Sequence, residues 1–181
     1  MKELENNLIE LFTAANQKFL EEDKSLITSD TNERALCGAL SQQLRLIISN
    51  TRYKNYHVDV EYNRNNGKLK TLLNDKFEVV TIICDIIVHS RGEIVKKDNL
   101  IAIEMKKSTA PETEKRNDKL RLTALTKDSY DGVWSFDGVT LPEYVCGYDL
   151  GIYYEINIRE KSVLLEYFAK GKSFLKETLH F

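Results

Sequence analysis

Apolar residues recur along this chain in two rhythms, one of helices and one of strands. Leu4, Leu8, Leu11, Phe12, Ala15 and Phe19 stand at helical spacing, which predicts a first helix from residue 2 to about residue 22. The stretch SLITSD interrupts it. A second helix is predicted from near Thr31 to about Ser49, with Leu36, Leu40, Leu44, Ile47 and Ile48 as its apolar stripe. Asp30, followed three residues later by Glu33, resembles a capping box at its start. The rhythm then changes. HVDVEYN, residues 57–63, alternates with period two and reads as a half-buried strand, and NRNNGK follows as a turn. FEVVTIICDIIVHS, residues 77–90, is a long β-branched run and predicts a central strand. RGEIVKKDN connects it to LIAIEMKK, residues 100–107, and so short a connection predicts an antiparallel pair. A helix is expected from Glu112 to about Thr126, with Leu120, Leu122 and Leu125 apolar; YVCGYDLGIYYEINI and KSVLLEYF close the chain as strands. The predicted order is α, α, β, β, β, α, β, β.

Composition narrows this little. The 181 residues suit one domain spanning 1–181, and 42% apolar with 30% charged residues is ordinary for a soluble globular chain. A net charge of −2 excludes a uniformly basic nucleic-acid binder but leaves room for a local basic patch. No apolar run reaches membrane-spanning length, and the acidic MKELENNLIELF is unlike a signal peptide. Cys37, Cys84 and Cys146 are odd in number, widely spaced and flanked by apolar residues; they read as core thiols in a reducing cytoplasm rather than a zinc site.

The candidate chemistry lies in two of the strands. Asp85 is a lone acid within IICDIIVH. In NLIAIEMKKS, residues 99–108, an apolar run gives way to Glu104, Lys106 and Lys107. Burying charge is costly unless it is paired or bound to a metal. Glu104 and Lys106 are two apart and so share a strand face, and an antiparallel partner brings Asp85 near Glu104. Two converging carboxylates repel each other, and hard oxygen donors suit Mg²⁺ or Mn²⁺. Such an ion acidifies a bound water and stabilises charge on a phosphoryl oxygen, while a lysine beside it orients water or holds phosphate.

Asp85, a spacer, and then Glu104-Met105-Lys106 at a strand end resembles the motif of the PD-(D/E)xK nuclease superfamily; Cys84 stands where the family name has Pro. The resemblance implies an α/β fold, a mixed sheet flanked by helices with a restriction-endonuclease-like α-β-β-β-α-β core from residue 31 to about 158, plus an extra N-terminal helix and C-terminal strand. It implies Asp85 and Glu104 as metal ligands joined by the Met105 carbonyl, Lys106 as the catalytic lysine, and Glu33 as a further ligand from the preceding helix. It implies a Mg²⁺- or Mn²⁺-dependent nuclease acting on DNA, or on RNA, of restriction, phage-defence, mobile-element or repair type. It further implies a homodimer or a protein partner that supplies targeting. The alternative is a nuclease-like module that binds nucleic acid or protein without cutting.

Each other candidate has a plainer reading beside it. Lys119 and Arg121, on the helix after the motif, and Lys107 read as nucleic-acid contacts or as a solvated face. Lys68, Lys70, Lys96 and Lys97 read as a basic rim or as solubility. Trp134, Tyr144, Tyr148, Tyr153 and Tyr154 read as base-stacking platforms or as sheet packing. His89 reads as peripheral to the site or as a strand-end residue.

Overall fold

The computed structural model describes residues 2–62, 64–65, 68–69, 71–73, 79–81, 83–128 and 146–181; for 2–6 and 64–81 it describes the backbone alone. Helix α1 (Lys2–Glu22), short α2 (Lys24–Thr28) and α3 (Glu33–Ile48) come first. Strand β1 (His57–Val60) follows, then four short pieces, β2 (Arg64–Asn65), β3 (Lys68–Leu69), β4 (Thr71–Leu73) and β5 (Val79–Thr81). Strands β6 (Ile86–His89) and β7 (Asn99–Lys107) precede α4 (Glu112–Leu125); β8 (Leu150–Asn157), β9 (Ser162–Ala169) and β10 (Lys172–His180) complete the chain. The main sheet has the order β1-β6-β7-β8-β9-β10. Within it β7 and β8 run parallel and the other pairs antiparallel. The pieces β2–β3 and β4–β5 form two separate two-stranded ribbons.

Strand periodicity divides the core into two layers. Ile101, Ile103 and Met105 of β7 face α1 and α3, where Leu8, Phe12, Phe19, Leu36, Leu40 and Leu44 are buried. Ala102 faces the other way, onto Leu122, Ala124 and Leu125 of α4. By the same alternation Glu104 and Lys106 lie on the α4 side. The parallel β7–β8 pair needs a crossover between its strands, and α4 supplies it.

Several sequence expectations change in detail. The cap of α3 is Asn32, whose side chain accepts the Ala35 N–H at 2.9 Å; Asp30 adopts φ 56° and pairs with Lys107 instead. The run 77–90 is not one strand: β5 pairs with β4, β6 joins the main sheet, and residues 83–85 lie in neither. Asp59, on the strand face opposite Val58 and Val60, is 8% exposed; it accepts two hydrogen bonds from Arg91, and His89 stands 3.0 Å away. Strand β10 was not foreseen. It follows a tight turn in which Lys170 and Gly171 take φ 51° and 71°, the left-handed geometry of a two-residue hairpin. The three cysteines are free and buried. No helix among the described residues is long and apolar enough to cross a membrane.

Candidate functional site

The site is built where one strand outruns its neighbour. Pairing of β6 with β7 begins at Ile86 opposite Ile103, so β7 continues four residues past the end of its partner. Its N–H groups on that side then need acceptors. Asp85 Oδ2 accepts the Met105 N–H at 2.8 Å, and Glu33 Oε1 accepts the Lys107 N–H at 2.9 Å. A side-chain carboxylate thus takes the place a backbone carbonyl would hold if β6 ran on. The same two bonds draw an acid from the start of α3 and an acid from the approach to β6 onto the end of β7.

Helix α4 supplies the rest. Arg121 Nη1 donates to Glu104 Oε1 at 2.7 Å and lies 3.3 Å from Asp118 Oδ1. Lys106 Nζ lies 3.3 Å from Glu33 Oε2 and 3.5 Å from Asp118 Oδ2. These contacts link Glu104, Arg121, Asp118, Lys106 and Glu33 in one chain of charge that passes from the α4 layer to the α3 layer. Asp118 is 4% exposed, and its Oδ2 is enclosed without a hydrogen bond among the described residues; the Lys106 ammonium stands at ion-pair distance only.

Burial dominates the electrostatics. Glu104 is 1% exposed, and desolvation pushes its carboxyl up to about 8 in spite of Arg121, with Asp85 and Asp118 adding to the rise. Burial also raises Asp85, against the pull of the Met105 N–H and Lys106, and raises Asp118, against Lys106 and Arg121. Burial alone would lower Lys106, but Asp118, Glu33 and Asp85 outweigh it and hold the ammonium above the ordinary lysine range. The Cys37 thiol, 3.7 Å from the Met105 sulfur, is driven up by burial and by the acids around it.

A cavity of about 480 Å³ opens beside this cluster, between the start of α3 and the gap before β6. Glu33, Asp85, Cys37, Glu61 and Lys107 line it; Glu104 does not. The structure therefore brings Glu33, Asp85, Glu104 and Lys106 to one place. The expected nucleic-acid contacts each have an acidic partner. Lys107 pairs with Asp30 at 2.7 Å, Arg121 with Glu104, and Lys119 with Glu166 at 2.9 Å while also lying over the Tyr153 ring. Lys97 pairs with Asp149. Tyr148, Tyr153 and Tyr154 are core residues, and His89 is buried beside Asp59. Trp134, Tyr144 and Lys70 lie outside the described residues, as does the side chain of Lys68. The residue missing from the sequence reading is Asp118. Its signal was available: it stands four and seven positions before Leu122 and Leu125, an acid on the apolar face of a helix.

Chemically this donor set suits a hard divalent cation. Four carboxylates, those of Glu33, Asp85, Glu104 and Asp118, face two internal cations, Lys106 and Arg121, and one acceptor oxygen of Asp118 is buried without a hydrogen bond. As they stand, no three His, Cys, Asp or Glu side chains among the described residues are grouped closely enough to hold a metal ion. Compared with protein-family models, with curated proteins and with solved structures, the chain matches none.

Proposed function

We propose that this chain is a divalent-metal-dependent nuclease of the PD-(D/E)xK type, with a restriction-endonuclease-like core formed by α3, β1, β6, β7, α4 and β8, acting on DNA in the cytoplasm. The observation that carries this reading is the meeting of Glu33, Asp85, Glu104 and Lys106, which come from three separate parts of the sequence, around one end of β7. The parallel β7–β8 pair with α4 as its crossover agrees with it.

Asp85 and Glu104, with the Met105 carbonyl and Glu33, would hold Mg²⁺ or Mn²⁺, which when bound polarises a phosphate oxygen and acidifies a water. The residues of the chain do the remainder. Lys106 is kept as an ammonium by three acids, so it orients water and offsets phosphate charge and is not a general base. Asp85 is held by the Met105 N–H, which fixes its carboxylate relative to β7. Lys107, lining the cavity, offers a phosphate contact in exchange for Asp30.

The test is cleavage of DNA and RNA oligonucleotides with Mn²⁺, alongside Mn²⁺ calorimetry, on the unaltered protein and on Asp85→Asn. Asp85→Asn retains an acceptor for the Met105 N–H. Cleavage and binding that both vanish in the variant support the reading. Cleavage that survives in Asp85→Asn, or a protein that neither binds Mn²⁺ nor cuts, overturns it. One observation favours the non-cutting alternative: Asp85, Glu33 and Glu104 already have partners within the chain. Under that reading Asp85→Asn alters stability and nothing else.

A further inference from the structure

We propose that Arg121 is a built-in counter-ion for Glu104, displaced when a divalent cation takes that carboxylate, and that Asp118 is the group that then receives the guanidinium. This rests on the nuclease reading and adds to it a residue pair on α4 that competes with the metal.

The geometry is that of a two-position latch. A single nitrogen, Arg121 Nη1, lies 2.7 Å from Glu104 Oε1 and 3.3 Å from Asp118 Oδ1. Moving from the first to the second needs a rotation of the side chain and no shift of the backbone, because Asp118 and Arg121 are three apart on one helix face. Asp118 presents Oδ1 to the guanidinium, while its Oδ2, buried without a hydrogen bond among the described residues, stands 3.5 Å from the Lys106 ammonium. Glu104 is 1% exposed, so once ionised its carboxylate needs a cation beside it, since an uncompensated buried charge is a state that proteins avoid. Guanidinium and metal are therefore alternatives at the same carboxylate. Charge balance points the same way. With every group ionised, the four carboxylates exceed Lys106 and Arg121 by two negative charges, the amount one divalent cation neutralises. Arg121 holds Glu104 while the Met105 and Lys107 N–H groups hold Asp85 and Glu33, and no three acids among the described residues are grouped closely enough for a cation.

The experiment is Mn²⁺ calorimetry at one fixed pH on the unaltered protein, R121Q, D118N and the double variant, with D85N as the control for the site. R121Q keeps a donor for Glu104 and removes the competing charge. R121Q should bind Mn²⁺ about tenfold more tightly, equivalent to roughly 1.4 kcal/mol. D118N should bind more weakly than the unaltered protein, and the double variant should match R121Q, because Asp118 acts by receiving Arg121. Binding in R121Q that is equal or weaker, while D85N still abolishes it, overturns the latch and leaves the nuclease reading standing. No Mn²⁺ binding to either the unaltered protein or R121Q overturns the nuclease reading and the latch together. A second measurement needs no folded variant: the Arg121 Nε–H resonance, followed through a Mg²⁺ titration of the unaltered protein, should move on saturation. A resonance that stays in place with Mg²⁺ bound also overturns the latch.

Discussion

Two carboxyl groups pull the pH dependence of stability in opposite directions. Glu104 is pushed up from an ordinary 4.5 to about 8, chiefly by burial. Between those values the unfolded chain has released this proton and the folded chain keeps it. Its contribution is therefore full below about pH 4.5 and is lost as pH rises through 8. Asp85 and Asp118, raised by burial, act with the same sign. Burial also opposes ionisation of Asp59, but the hydrogen bonds and charges of Arg91 and His89 outweigh it and hold the carboxyl down at about 2. Its contribution is present above 3.8 and is lost as pH falls through 2. Urea unfolding should accordingly show stability greatest in the mildly acidic range and declining by a few kcal/mol towards pH 8. Glu104→Gln should flatten that decline, and a variant with an unchanged slope would assign the pH dependence to other groups. The motif acids were legible in the sequence because an acid inside an apolar run has to be explained. Their partners were not. That Asp85 and Glu33 take the free N–H groups of Met105 and Lys107 depends on where β6 stops, and hydrophobic periodicity does not mark that point.

Two glycines, both within or against helices, should respond to alanine-like growth in opposite ways. A Cβ on Gly151 of β8 would lie 3.0 Å from Thr126 Cγ2 and 3.2 Å from Phe168 Cβ, with Leu122 Cδ2 at 3.4 Å. The absence of a side chain there is what allows the end of α4 to sit against the sheet. Gly151→Val should cost about 1–3 kcal/mol by overpacking. Gly38, in the middle of α3, has nothing within 4 Å of its would-be Cβ, so Gly38→Ala should stabilise by roughly 0.5–1 kcal/mol. Thermal melts of the two variants check both signs. At this scale the helices were the legible part: α1, α3 and α4 lie within two residues of their predicted bounds, α1 and α3 because each carries an unbroken apolar stripe, α4 because Pro111 precedes it and Leu122 and Leu125 mark its buried end. Strand β10 was missed for the converse reason. It is an edge strand whose residues are mostly exposed, Phe174 and Leu175 among them, so no alternation marks it. The division of residues 77–90 between two sheets was hidden by uniform β-branched composition, which favours strand without saying which sheet.

Across the whole molecule, the cluster joins elements that would otherwise meet only through the sheet. Glu33 belongs to the layer of α1 and α3, Asp118 and Arg121 belong to α4, and Glu104 and Lys106 lie in β7 between them. The first layer is not peripheral to the core: Phe12 and Phe19 of α1 stand edge-on to Tyr154 of β8, and Tyr154 donates to buried Asn16 at 2.7 Å. A cation held by ligands from α3, β7 and the approach to β6 would bind only while α3 stays packed on the sheet, so it stabilises the fold against unfolding. At a Mn²⁺ concentration about 100 times its dissociation constant, that linkage amounts to roughly 2.7 kcal/mol. For a chain of this length each kcal/mol moves the melting temperature by about 2–4 °C. Mn²⁺ should therefore raise the melting temperature by roughly 5–10 °C, with a single transition retained in far- and near-ultraviolet circular dichroism. Asp85→Asn should abolish the increase, and Arg121→Gln should bring it on at about a tenfold lower Mn²⁺ concentration, the same factor that the calorimetry is expected to read. A Mn²⁺-induced rise of equal size in Asp85→Asn would place the ion elsewhere on the protein and remove the metal from β7.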